Sequence, residues 1–104
     1  MMHKVAGFNW DSGNLQKCRK HGVSRAEVEF VFKHGPRIVP DLKHSDKETR
    51  YLAIGRSSAG RPLFIAFTLR HIGGKVYIRP ISARYMHQKE VKSYETQTSQ
   101  DEER

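Results

Sequence analysis

The most apolar stretch of the chain, LFIAFTLR at residues 63–70, sets what the rest can fold into. A run this short and this rich in Phe, Ile and Leu fits a strand covered on at least one face, so it belongs inside a sheet. Its neighbours read as strands too. In TRYLAIGR, residues 49–56, Leu52 and Ile54 alternate with Tyr51, Ala53 and Gly55. Residues 57–60, SSAG, make a tight connection into the central run. Gly73 and Gly74 are a hairpin signal. Residues 76–84 return as a third strand, where Pro80 implies an edge or a bulge.

Upstream, the signals are helical. Residues 5–10 form a short strand or extended lead-in, and Asp11 then offers an N-cap with Asn14 at the partner position. A first helix over residues 12–21 puts Leu15 and Cys18 on one face and Lys17, Arg19 and Lys20 on the others. Gly13 weakens its first turn, and Gly22 suits the left-handed residue past its end. Ser24 and Glu27 then form a capping box, with Val23 and Val28 at the positions of a hydrophobic staple. This second helix carries Val28, Val31 and Phe32 and stops at Gly35 and Pro36. Residues 36–47 hold an extended piece around Ile38 and Val39, then a polar loop. Residues 85–94 have helical composition, with Met86, Val91 and Tyr94 as anchors. The order is βααβββα: an α+β domain with two N-terminal helices, one C-terminal helix and an antiparallel sheet of three to five strands.

At 104 residues the chain is a single domain by length, with a modest core given 37% hydrophobic residues. Residues 1–95 make up that domain. Residues 96–104, TQTSQDEER, contain no apolar side chain and are expected to be disordered. The net charge is +8, and the last nine residues hold three acids and one base, so the folded part is nearer +10. Such a balance favours a polyanion or a strongly acidic protein as partner, though charge alone also serves solubility. One cysteine excludes an internal disulfide and a zinc ribbon and fits a reducing cytosol. No long apolar run is present, so neither a signal peptide nor a membrane helix is expected, and no membrane partner.

Metal chemistry is poorly supported: the six histidines contain no i, i+4 pair and no H-x-H, and no cofactor motif occurs. Cys18 shares its helical face with Leu15 and reads as core rather than as a nucleophile. The arginines at strand ends are more informative. Arg50 and Arg56 share parity with Leu52 and Ile54, a face expected to pack on the helices with the arginines at its rims. Arg70 ends the next strand and Arg84 the last one. Arginine's planar fork matches two phosphate oxygens, and several forks around one sheet edge can hold an RNA backbone. Each alone can equally solvate a strand end or pair with Asp41, Asp46 or Glu48.

Three runs carry a family resemblance: FNWDSGNLQKCRKHGVSRAEVEFVF, DLKHSDKETRYLAIGRSSAGRPLFIAFTLR and RPISARYMHQKEVKSYE. Their W-D, N-x-x-K, K-H-G-V-S, E-x-R, I-G-R-(S/T) and I-S-A-R elements stand in the order and spacing of the BrnT family of bacterial toxins, over roughly residues 8–95. The start before Trp10 is longer than in that family, Cys18 is a departure in the first helix, and Tyr85 and His87 stand where the family varies. The resemblance implies a RelE-like fold, a ribonuclease activity and a BrnA-like antitoxin. That antitoxin carries a ribbon-helix-helix module, so operator DNA is reached only through the complex.

Metal-free RNA cleavage needs a base for the 2′-OH, a cation for the phosphorane and an acid for the leaving 5′-oxygen. Arg56 and Arg84 are the candidates for binding the scissile phosphate and its transition state. Glu48 is the candidate base, or else the residue that orients Arg50. His21 or Lys20 is the candidate acid, with His87 in reserve. Lys17, Arg50, Arg70 and His87 are candidates for RNA binding, and Trp10 either stacks on a base or is structural. The expected function is a cytoplasmic, metal-independent endoribonuclease toxin of a type II toxin–antitoxin module. The alternatives are a non-catalytic basic nucleic-acid-binding module or corepressor, and a basic protein that only docks an acidic chain.

Overall fold

A computed structural model describes residues 4–44 and 47–102. The elements run β1 (Gly7–Phe8), α1 (Ser12–Lys20), α2 (Arg25–Lys33), β2 (Arg37–Pro40), β3 (Tyr51–Arg56), β4 (Pro62–Ile72), β5 (Lys75–Tyr85) and α3 (Gln88–Glu102), with a 3₁₀ turn at Leu42–His44. The extended piece around Ile38 is thus a full strand, and the sheet has five. Their order, β1-β5-β4-β3-β2, puts the most apolar run at the centre. All pairs are antiparallel except β1, which runs parallel to β5, so the sheet is mixed.

Both helix starts follow their local signals. Asp11 accepts from the Asn14 backbone N–H at 3.0 Å while Asn14 Oδ1 accepts from Asp11 N–H at 2.8 Å. Ser24 and Glu27 exchange the same pair of bonds at 3.2 and 3.1 Å. These contacts satisfy N–H groups that have no partner inside the helix. Gly22 takes φ +77 between the helices, a conformation strained for any side chain with a Cβ.

One sheet face carries the core. Leu63, Ile65 and Phe67 of β4 meet Val28, Val31 and Phe32 of α2, Cys18 of α1, and Val23. Phe32 stands edge-on to Phe67, ring centroids 4.9 Å apart. Burial pushes the Cys18 thiol up to about 11, which leaves almost no thiolate at neutral pH and makes it core, as its spacing suggests.

The face of β3 reverses the expectation from alternation. Ala53 is fully buried, Tyr51 stacks on Phe67 at 5.3 Å, and Gly55 faces Val31. Leu52 and Ile54, with Arg50 and Arg56, therefore lie on the face opposite the α2-packed core. Small residues point inward because α2 comes close: a Cβ at Gly55 would stand 2.9 Å from Val31 Cγ1. Gly55→Ala should cost about 1–3 kcal/mol by overpacking, read as a lower urea midpoint at unchanged slope.

Pro80 marks both an edge and a bulge. β1 covers β5 only at Tyr77 and Ile78, so Pro80 lies just past a neighbour. There the Asn14 side chain of α1 donates to the Pro80 carbonyl at 2.8 Å. Opposite Ala66 and Phe67 the register jumps from Ser82 to Pro80, leaving Ile81 as the extra residue. At the C-terminus, β5 continues to Tyr85 and α3 reaches Glu102, further than the polar composition of residues 96–104 predicts. Residues 103–104 lie outside the described residues, as does Asp46, considered above as an arginine partner.

Candidate active site on the open sheet face

The face of the sheet turned away from the α2 core is built by alternation, and α1 borders it. Cross-strand pairs Leu52–Ala66, Ile54–Phe64, Ala66–Ser82 and Phe64–Arg84 all point into it. The bulge at Ile81 also brings Arg79, opposite Thr68, onto the side where Arg84 stands. Without the extra residue, positions five apart would point to opposite faces. The C-terminal corner of α1 reaches over the rim of this face, and α3 lies across its far end.

Near the middle is a cleft of about 210 Å³ floored by Leu52, Phe64, Ala66 and Ser82 and walled by Arg84 and His21. His21 caps α1, its backbone N–H donating to the Cys18 carbonyl at 3.1 Å. The chain turn at Gly22 holds it there, so this corner does face the arginine-lined sheet. Lys20, one residue earlier, is exposed on the last turn of α1 and does not line the cleft.

Arg84 lies over the Phe64 ring, 4.8 Å from its centroid. Its two terminal nitrogens donate to the two oxygens of Glu90 at 2.9 Å each, and one also donates to the Tyr85 carbonyl at 3.3 Å. The Arg84 donors, and then the His87 backbone N–H at 2.8 Å, hold the Glu90 carboxyl down at about 2. The same hydrogen bonds raise the Arg84 guanidinium further. His87 thus serves at the start of α3 through its backbone. Arg56, two strands away, donates to the Gly60 carbonyl at 2.9 Å and to Glu95 at 3.0 Å, with its guanidinium 5.4 Å from the Tyr94 ring centroid. Both arginines singled out from the sequence are therefore held by carboxylates of one helix, α3. Between that helix and the sheet remains a cavity of about 490 Å³, lined by Val39, Ile54, Phe64 and Tyr94 among others.

A second groove of about 490 Å³ lies further along the face. Lys17, Arg50, Arg70 and Arg79 line it together with Glu48 and Asp11. Glu48 binds Arg70 at 2.6 Å, which places it with this groove rather than with His21 and Arg84. Arg79 donates to Asn9 and Asp11, each at 2.8 Å. The Asn14 backbone N–H, followed by Arg79, keeps the Asp11 carboxyl below its usual range. Trp10 is not with these residues: its indole donates to Glu29 of α2 at 2.9 Å, with Arg25 5.9 Å from its ring. Arg79, Glu90 and Glu95 went unmarked in the sequence. The usable signal was Pro80, whose bulge changes the facing of Arg79.

Behind the sheet, the Tyr85 hydroxyl donates to Glu27, and Arg61 lies 3.6 Å from the Tyr85 ring centroid. Burial pushes Glu27 up, but the Tyr85 and Ser24 hydrogen bonds hold its carboxyl below the usual value. This strut joins the α2 cap to the end of β5. Among the described residues no three His, Cys, Asp or Glu side chains gather into a metal-ligating group, and no helix is long and apolar enough to cross a membrane.

The class the fold and site define is a small α+β domain with one sheet face packed on helices and the other lined by arginine forks. The particular family is given by a family model described as "Ribonuclease toxin, BrnT, of type II toxin-antitoxin system", which matches residues 10–90. The chain belongs to the BrnT family of ribonuclease toxins. Among curated proteins, none matches the chain.

Proposed function

We propose that the open sheet face cleaves RNA without a metal, in the cytosol, and that a BrnA-like ribbon-helix-helix antitoxin neutralises it and alone brings it to operator DNA. The observation that carries this reading is Arg84, which shares its cleft with His21 and whose paired donors already grip the two oxygens of the Glu90 carboxylate. The same fork takes two non-bridging oxygens of a phosphodiester. In the reaction the 2′-oxygen bonds to phosphorus while the bond to the 5′-oxygen breaks, giving a 2′,3′-cyclic phosphate and a free 5′-hydroxyl. Arg84 stabilises the charge that builds on the phosphorane. His21 moves a proton at the 2′- or 5′-oxygen, imidazole being the side chain best suited to that task near neutral pH. Arg56 stands two strands from Arg84, a separation of roughly 10 Å at the usual strand spacing, and so holds the neighbouring phosphate. Glu48 acts as a positioning residue for Arg70. Lys20, outside the cleft on the last turn of α1, adds charge along the approach.

Purified protein freed of antitoxin should cleave single-stranded RNA equally with and without EDTA, leaving cyclic phosphate ends. Loss of cleavage in EDTA overturns the metal-free mechanism. RNA binding without any cleavage supports the non-catalytic alternative instead.

A further inference from the structure

The groove at the other end of the open face is built from four elements: Lys17 on α1, Arg50 beside β3, Arg70 on β4 and Arg79 on β5. Four cations line it against the two carboxylates Asp11 and Glu48. Those carboxylates act as anchors. Arg70 uses one terminal nitrogen on Glu48, and Arg79 uses its two terminal nitrogens on Asn9 and Asp11. A guanidinium has five N–H donors, so both retain donors for another acceptor. Arg79 is held by these anchors at 22% exposure, pre-set rather than sweeping through solvent.

The groove shares its sheet face with the Arg84 cleft. Arg50 precedes Leu52 on the same strand face, Arg70 follows Ala66, and Arg79 precedes Ser82 across the bulge. Leu52, Ala66 and Ser82, small or apolar side chains, floor the Arg84 cleft on the side nearer these arginines. Along β5 the separation of Arg79 and Arg84 is roughly 15 Å at the strand rise per residue. A lone phosphate cannot touch both ends, but a polymer with charges at regular intervals can.

We propose that the Lys17–Arg50–Arg70–Arg79 groove is a second backbone-phosphate subsite, which holds the flanking nucleotides of an RNA whose scissile phosphate sits at Arg84. This rests on the RNA reading above and adds to it a length requirement. Short RNA engages Arg84 alone, whereas longer RNA gains affinity from the second groove through counterion release.

The test is fluorescence anisotropy with 2′-O-methyl RNA, which has no 2′-hydroxyl to attack and so reports binding apart from cleavage. The wild type is compared with a Lys17→Gln/Arg70→Gln double variant on a dinucleotide and on an oligonucleotide of about eight residues. Arg79 is left in place because it ties Asn9 and Asp11 to the sheet, and thermal melting checks that the variant is folded. The variant should bind the longer RNA about tenfold more weakly, with a salt slope reduced by roughly 1 to 2. Its affinity for the dinucleotide should change less than about twofold, because that ligand does not reach the groove. Equal losses at both lengths, or none, overturn the subsite while leaving the cleavage reading standing. Failure of the wild type to bind either RNA overturns the RNA reading itself. Polyglutamate displacing the longer RNA at equal charge concentration, with the same sensitivity to the two substitutions, overturns the subsite in favour of a seat for an acidic protein.

Discussion

Arg84→Ala should lower RNA cleavage by about 10²- to 10³-fold, the range seen when one fixed donor to a developing oxyanion is removed. No other side chain in the cleft presents two parallel donors, and Arg84 is the cation that shares this space with His21. Arg84→Lys keeps the charge and loses the fork, so it should fall between wild type and alanine. The loss should appear mainly in kcat, because Arg56 and the second groove still bind RNA. Stability should barely move. The Arg84–Glu90 pair is 41% and 32% exposed, and exposed pairs contribute about 0–1 kcal/mol. In bacteria, induction of wild type should arrest growth and induction of the folded alanine variant should not. Cleavage by Arg84→Ala within a few-fold of wild type would falsify the assignment.

The parts of this molecule that local chemistry determines could be read from the sequence. Asp11, Ser24 and Glu27 start helices because each satisfies backbone N–H groups within three residues. The hairpin at Gly73 and Gly74 is similar, both taking positive φ in a two-residue turn. The facing of β3 was not legible, since alternation shows that two sets of residues oppose each other but not which set faces the helices. Leu52 and Ile54 looked like the buried set on hydrophobicity, yet Ala53 and Gly55 are inside because α2 approaches too closely for larger side chains. That reversal is what places apolar residues and arginines on one open face. The bulge was half legible: Pro80 announced an irregularity, but only the register shows that Ile81 is the extra residue. Lys20 and His21 are adjacent in sequence and looked equivalent. The turn at Gly22 separates them, leaving His21 in the cleft and Lys20 on the outside.

Removing the carboxylates of α3 should strengthen RNA binding. Glu90 accepts from both terminal nitrogens of Arg84, and Glu95 from one of Arg56. A phosphate that takes the same N–H groups must displace both glutamates, which are negative and compete for them. Glu90→Gln/Glu95→Gln keeps side-chain size while deleting two charges, and should raise affinity for RNA about three- to tenfold at low salt, with the gain shrinking as salt screens the competition. Acid is a poor substitute for the substitutions. The Glu90 carboxyl sits at about 2 against an ordinary 4.5, so its grip is fully present above about 4.5 and is lost only as pH falls through 2. The contact should therefore stay closed across the physiological range and open to polyanions rather than to protons. Carbon-detected titration of Glu90 should place its midpoint near 2, and hydrogen exchange in α3 should quicken when RNA binds. Weaker RNA binding by the double variant would reverse the assignment, since it would mean that Glu90 and Glu95 hold the arginines in place for the phosphate instead of standing where the phosphate goes.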